Sequence, residues 1–223
     1  MSGNASVARR KGLAFADDLC SAITHGLGVA MALTYFGILL GKSLFAHSPR
    51  SVVAYSIYGG CLIFTYLSST LYHSLPYGRA KRVFRLFDHC SIFFCIAGAY
   101  TPVIMFSYGS LKMALLLSLI WTLAAAGLAL KICSFCLADL DRTERPSIIL
   151  YVCMGWLALA MLPTLIHTLP LGALLFIAGG GVLYTIGLIF YSLDGKMPLN
   201  HTFWHLFILA ASTLQFVAFL VWL

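Results

Sequence analysis

The sequence predicts an all-α membrane protein built as a bundle of seven transmembrane helices. Three observations lead there. Apolar residues make up 61% of the chain and charged residues only 9%, with a mean hydropathy of +0.94, far from the balance of a soluble domain. Apolar runs of about 20 residues, the length that crosses a hydrocarbon core, recur along the whole chain with short connections between them. The 14 lysines and arginines fall mostly in those connections, where basic residues set topology.

Residues 1–18 are polar and close on Asp17-Asp18, and are read as an N-terminal tail ahead of a membrane domain over 19–223. They carry no apolar run with a small-residue cleavage site, Arg9-Arg10 lacks the context of a twin-arginine signal, and Asn4-Ala5-Ser6 is a glycosylation sequon in spelling only. The first span is expected over Leu19–Gly41, with His25 in its second turn. Pro49 marks the turn into the second, Ser51–His73, which ends on Ser69 and His73. Pro76 and the basic group Arg79, Lys81, Arg82 and Arg85 precede the third, Phe87–Ser107, which opens with Asp88-His89. The fourth covers Lys112–Cys133, and the fifth, after Pro146, covers Ser147–His167. Pro170 leads into the sixth, Gly172–Leu193, and Pro198 into the seventh, Asn200–Trp222. Pro102 and Pro163 lie inside spans and predict kinks. Gly59-Gly60, Gly179-Gly180-Gly181 and Ala124-Ala125-Ala126-Gly127 predict close helix approach. The seven cysteines are scattered through apolar segments and read as small buried hydrophobes rather than a disulfide framework. Cys133 and Cys136 have zinc-knuckle spacing but no second pair.

Positive residues concentrate on the cytoplasmic side of membrane proteins. With the N-terminus inside, that side receives Arg9, Arg10, Lys11, Arg79, Lys81, Arg82, Arg85, Lys131, Arg142, Arg145 and Lys196, whereas the other keeps only Lys42, Arg50 and Lys112. The expectation is a cytoplasmic N-terminus and an external C-terminus, in a cell inner (plasma) membrane. The net charge of +7 then reflects topology and attraction to anionic membrane lipids, not nucleic-acid binding.

This orientation puts His25, His73, Asp88, His89, His201 and His205 at one membrane level. Ser69 and His73 are spaced i,i+4, as are His201 and His205, so each pair shares a helical face. Ionisable groups at such depth tend to face the bundle interior and mark function. Three imidazoles, His73, His201 and His205, suit one zinc with a fourth position left for water. No glutamate separates His201 from His205, so this is not HExxH, and Asp88 is the candidate general base or orienting carboxylate. Ser69 is a candidate hydrogen-bond donor to an oxyanion or water. His25 and His89 stand beside the ligands or pack as satisfied histidines. Against all this stands the reading in which the histidines sit among lipid headgroups.

Ser69-Thr70-Leu71-Tyr72-His73, Phe87-Asp88-His89-Cys90-Ser91-Ile92, Ala97-Gly98-Ala99-Tyr100-Thr101-Pro102 and His201-Thr202-Phe203-Trp204-His205 resemble the haemolysin-III-like branch of the progestin and adipoQ receptor (PAQR) family. Asp17-Asp18 followed by Ile23-Thr24-His25-Gly26 resembles that branch's opening motif. The resemblance covers nearly all of the chain after the tail and is nearest to bacterial inner-membrane members described as homeostasis proteins. It implies seven helices, a cytoplasmic N-terminus, and zinc on His73, His201 and His205 with Asp88 and Ser69 around a water. It also implies, for hydrolytic members, cleavage of ceramide-type lipid amides. The opening motif usually has glutamate and asparagine where this chain has Asp18 and Ser21, which leaves open any polar contact of that motif with the site.

The leading expectation is a zinc-dependent intramembrane hydrolase of a lipid amide or ester that adjusts membrane composition. The alternative is a non-enzymatic homeostasis, sensor or receptor protein in which zinc braces helix ends. A pore-forming haemolysin ranks last, since no polar pore-lining stripe stands out. The topology is tested with fusions: alkaline phosphatase placed after Leu223 should be active and a fluorescent protein placed before Met1 should fluoresce, and the reverse pattern would invert the bundle.

Overall fold

A computed structural model describes the backbone of residues 2–193 and 197–223, and the side chains of residues 12–109, 111–193 and 197–223. The side chains of Arg9, Arg10 and Lys11, the Asn4 sequon and Lys196 lie outside the described residues. The helices are α1 (Ser2–Phe45), α2 (Pro49–Ser74), α3 (Arg79–Ser107), α4 (Ser110–Cys136), α5 (Glu144–Trp156), α6 (Ala158–Thr168), α7 (Leu171–Ser192) and α8 (Asn200–Trp222). A single 3₁₀ turn over Asp141–Thr143 leads into α5. Among the described residues seven stretches are long and apolar enough to cross a membrane, with α5 and α6 forming two halves of the fifth. The protein is a multi-pass membrane protein.

Two boundaries differ from the sequence expectation. The helix of the first span already includes Asp17 and Asp18, so these acids sit on a helical face rather than in a separate tail. The third span begins at Arg79 rather than Phe87, which carries Lys81 and Arg85 onto the same helix as Asp88. Polar residues at those positions lower local hydropathy, and a hydropathy reading therefore starts the helix late.

Helix α1 packs against both α2 and α8, α3 lies between α2 and α4, α7 lies against α8, and the fifth span touches α3, α4 and α7. Within their membrane-length stretches, α3 and α8 bury 61% and 56% of their residues in protein, whereas α4 and α7 each bury 17%. This explains the distribution of polarity. Where lipid is the neighbour, helices stay apolar; where protein is the neighbour, polar side chains find partners.

A polar seam runs through the centre. On α2, Tyr55, Tyr58, Leu62, Tyr66, Ser69 and His73 recur at helical spacing and are all buried. On α8, His205, Ile208, Ser212, Gln215 and Phe219 form the matching buried stripe. The Tyr66 and Ser212 hydroxyls are 2.6 Å apart, and Tyr58 and Tyr55 donate to the carbonyls of Ser212 and Phe219 at 3.3 Å each. The seam was missed in the sequence because tyrosine counts as apolar in a span. It is filled by hydrogen-bonded rings.

Close approach occurs where glycine allows it. A Cβ on Gly127 would fall 2.2 Å from the Phe93 ring, and one on Gly59 would fall 2.6 Å from Phe36, whereas Gly60 and Gly181 have open space beside them. α3 continues through Pro102. The fifth span breaks at Leu157, six residues before Pro163. Tyr100 fills that break, its hydroxyl donating to Gly155 O at 2.6 Å and accepting from Ala158 N at 2.8 Å. A side chain inserted into the backbone ladder is a recognised cause of a kink, and here it satisfies two backbone groups that lipid cannot. Tyr100→Phe should therefore lower unfolding stability by about 1–3 kcal/mol, read as a depressed thermal midpoint in detergent; an unchanged midpoint would mean the break satisfies itself.

Candidate metal centre

Three helices build the site. His73 lies on the last turn of α2, and His201 and His205 on the first turns of α8. One ligand-capable atom from each of these three lies within 4.8 Å of the others. The His73–His201 and His201–His205 ring centroids are 4.8 Å apart and His73–His205 are 5.1 Å apart. His73 and His205 are buried and His201 is half-buried. The sequence expectation that these three converge is thus met in space, and they could hold a metal ion.

Helix α1 supplies what the histidines need around them. His73 donates from Nδ1 to Asp18 Oδ1 at 2.8 Å. His205 donates from Nδ1 to the Ser21 carbonyl at 3.2 Å. Each bond fixes the ring's tautomer and leaves Nε2 with its lone pair directed elsewhere, the arrangement usual for metal-bound histidine. His73 Nε2 is buried without a hydrogen-bond partner among the described residues. A buried imidazole nitrogen left this way is costly, and a divalent cation at the centre of the trio would satisfy it. The residues present fit zinc: three imidazoles, two with their outer nitrogens anchored.

The second oxygen of Asp18 accepts from Lys81 Nζ at 2.9 Å. Lys81 is buried, its ammonium 5.1 Å from the Tyr72 and Tyr77 ring centroids. Sequence reasoning placed Lys81 among the topology signals; it is also part of the site's wall. Asp17 works at the neighbouring helix. Its carboxylate accepts from Thr202 N at 3.0 Å and Thr202 Oγ1 at 2.6 Å, so a residue of α1 caps the first turn of α8 from outside. This matters because α8 is entered through Leu199 at φ 60, a left-handed conformation that branched L-residues adopt at some cost. In the sequence the pair Asp17-Asp18 closes a polar tail and matches the resembling family's opening motif, without showing which groups it meets. The i,i+1 spacing sends the two carboxylates to different neighbours, α8 and α2.

Ser69 and Asp88 are both buried. Ser69 Oγ lies 3.4 Å from His205 Nε2, and the Asp88 carboxylate lies near Ser69, His73 and His201. Ser91 Oγ donates to the Asp88 carbonyl at 2.7 Å. His25 stacks on His205 with ring centroids 3.4 Å apart and planes 8° from parallel, edge-on to Tyr66 at 5.0 Å. It thus backs a candidate ligand, and neither of its nitrogens has a partner among the described residues. His89 is not one of the clustered three. Its main-chain carbonyl accepts from the Tyr151 hydroxyl of α5 at 2.8 Å.

The chain matches the model of the haemolysin-III-related family over residues 14–216. It is 34% identical to Hemolysin-3 of Bacillus cereus over 90% of this chain and 89% of that protein. It is likewise 34% identical to the Hemolysin-3 homolog of Bacillus subtilis (strain 168), over 90% of this chain and 91% of that protein. More distantly, it is 25% identical to the monocyte to macrophage differentiation factor of Homo sapiens over 73% of this chain and 67% of that protein. Removing the carboxylate that orients His73 should cost 10–100-fold in metal affinity. Asp18→Ala, measured by competition with a chromogenic chelator, should show that loss, and wild-type affinity in the variant would remove Asp18 from the site.

Proposed function

This chain belongs to the haemolysin-III-related family, and on that premise we propose that it is a zinc-dependent hydrolase of a membrane lipid amide or ester, with its site near the cytoplasmic face of the inner membrane. The observation that carries the reading is the buried Nε2 of His73, left without a hydrogen-bond partner among the described residues while Nδ1 is held by Asp18, in a histidine trio whose ligand atoms lie within 4.8 Å of one another. His73, His201 and His205 would hold the ion. Zinc, when bound, supplies a Lewis acid that polarises a carbonyl and makes hydroxide available near neutral pH.

The protein's own groups do the rest. Asp88 offers a carboxylate oxygen to take the proton that the attacking water loses, and to return it to the departing amine or alcohol. Ser69 Oγ, 3.4 Å from His205 Nε2, would donate a hydrogen bond to the negative charge that develops on the carbonyl oxygen. Burial of Ser69 and Asp88 keeps bulk water away from both, which strengthens each contact.

A second reading has its own support. The ligands come from α2 and α8, and α1 is wedged against both, so an ion there would staple the ends of the bundle and stabilise it by mass action. In that case a chelator lowers the thermal midpoint and no lipid is consumed. Elemental mass spectrometry of the purified protein separates these readings when paired with lipid turnover. About one zinc per chain should be present, and lost in His201→Ala/His205→Ala. Asp88→Ala should keep its zinc and lose turnover. Absence of zinc from folded wild-type protein after zinc is supplied would overturn both readings, and full turnover in Asp88→Ala would remove Asp88 from the chemistry.

A further inference from the structure

At the end of the bundle away from His73, His201 and His205, three described lysines and arginines stand near the helix ends: Lys42, Arg50 and Lys112. Two are committed. Lys42 Nζ donates to the carbonyls of Phe219 and Leu220 at 3.0 and 2.9 Å, closing the last turn of α8. Arg50 Nη2 donates to Tyr108 O at 3.2 Å and lies 3.4 Å from Met113 Sδ. Lys112 is exposed and has no hydrogen bond or ion pair to a described residue.

Lys112 stands at the rim of a cavity of about 310 Å³, walled by Leu115 and Leu116 of α4 and by Leu157, Ala160 and Met161 of the fifth span. The volume reaches the lower bound of small-molecule sites, about 300–1,000 Å³. The cavity lies beside the break at Leu157, which is one of its lining residues. α4 packs against α5, and beyond the break the cavity lies between α4 and Ala160 and Met161 of α6. The floor is fixed, because Tyr108 donates to Met161 O at 3.3 Å. The side is open, with Leu115 62% exposed on a membrane-spanning helix. α4 also starts at Gly109 without a side-chain cap, so the positive end of its dipole faces the same level as the lysine.

We infer that this groove is a binding site for one anionic phospholipid drawn from the surrounding bilayer, its phosphate on Lys112 and one acyl chain along Leu115, Leu116, Leu157 and Met161. Charge complementarity selects the headgroup, and the apolar wall selects a lipid over a soluble anion. A free phosphate would leave the leucines uncovered. A zwitterionic lipid would fill the groove, but its own ammonium would oppose Lys112. The contribution of one lysine near a membrane surface, about 1 kcal/mol, corresponds to about fivefold in affinity.

The test is native mass spectrometry of the full chain released from vesicles of equal parts phosphatidylglycerol and phosphatidylcholine. Wild-type protein should retain one phosphatidylglycerol in preference to phosphatidylcholine. Lys112→Gln should reduce that retention about fivefold, Lys112→Arg should preserve it, and Ala160→Trp, which fills the groove, should abolish it. Thermal midpoints report whether each variant folds, and Leu116→Phe replaces Ala160→Trp if the latter does not. Equal retention of the two lipids, undiminished retention in Lys112→Gln, or full retention in a folded groove-filled variant would overturn the assignment. So would displacement of the lipid by inorganic phosphate alone, which would point to a small-anion site instead.

Discussion

Asp18 is the constraint on which the rest of the site depends. One carboxylate from α1 joins His73 on α2 and Lys81 on α3, so three helices meet at a single side chain. Such a group is costly to bury alone, and tolerable here because both oxygens are paired and the side chain keeps 30% of its surface exposed. The histidine is held in one tautomer and one orientation by this contact. Asp17, one residue earlier, fastens the first turn of α8 through Thr202. Together the two acids position His73 directly, and His201 and His205 through the helix that carries them.

The same logic governs the interior. The seam between α2 and α8 is wide enough for tyrosine rings, and each ring ends in a hydroxyl that finds a partner on α8. Tyrosine suits such a gap because its body is apolar and its tip is polar. Tyr100 applies the principle at the other side of the bundle, closing a broken helix that would otherwise present bare backbone to lipid. In both places a hydroxyl inside the membrane serves backbone that water cannot reach.

The substitution of Asp18 and Ser21 for the glutamate and asparagine usual in the resembling motif does not detach that motif from the site. Asp18 reaches His73 at 2.8 Å despite its shorter side chain. Ser21 contributes through its main-chain carbonyl to His205, a role open to almost any residue on that face of α1.

By itself the sequence determined the number of spans, their order and the helical faces that carry His73 and the His201–His205 pair, because hydropathy over about 20 residues and i,i+4 spacing are local properties that each helix carries alone. Pairing of Ser69 with His73, and of His201 with His205, was fixed by helical geometry before any tertiary contact. Tertiary structure decided which groups would serve those histidines. Asp18 and Lys81 are separated from each other by 63 residues, and Asp17 from Thr202 by 185. The second juxtaposition follows from α1 packing against α8, and the first from the end of α3 that carries Lys81 meeting α1 at Asp18. The break at Leu157 was decided in the same way, since it is stabilised by Tyr100 from another helix and not by the proline six residues along. Local pattern gives helices and faces; only packing says which face meets which.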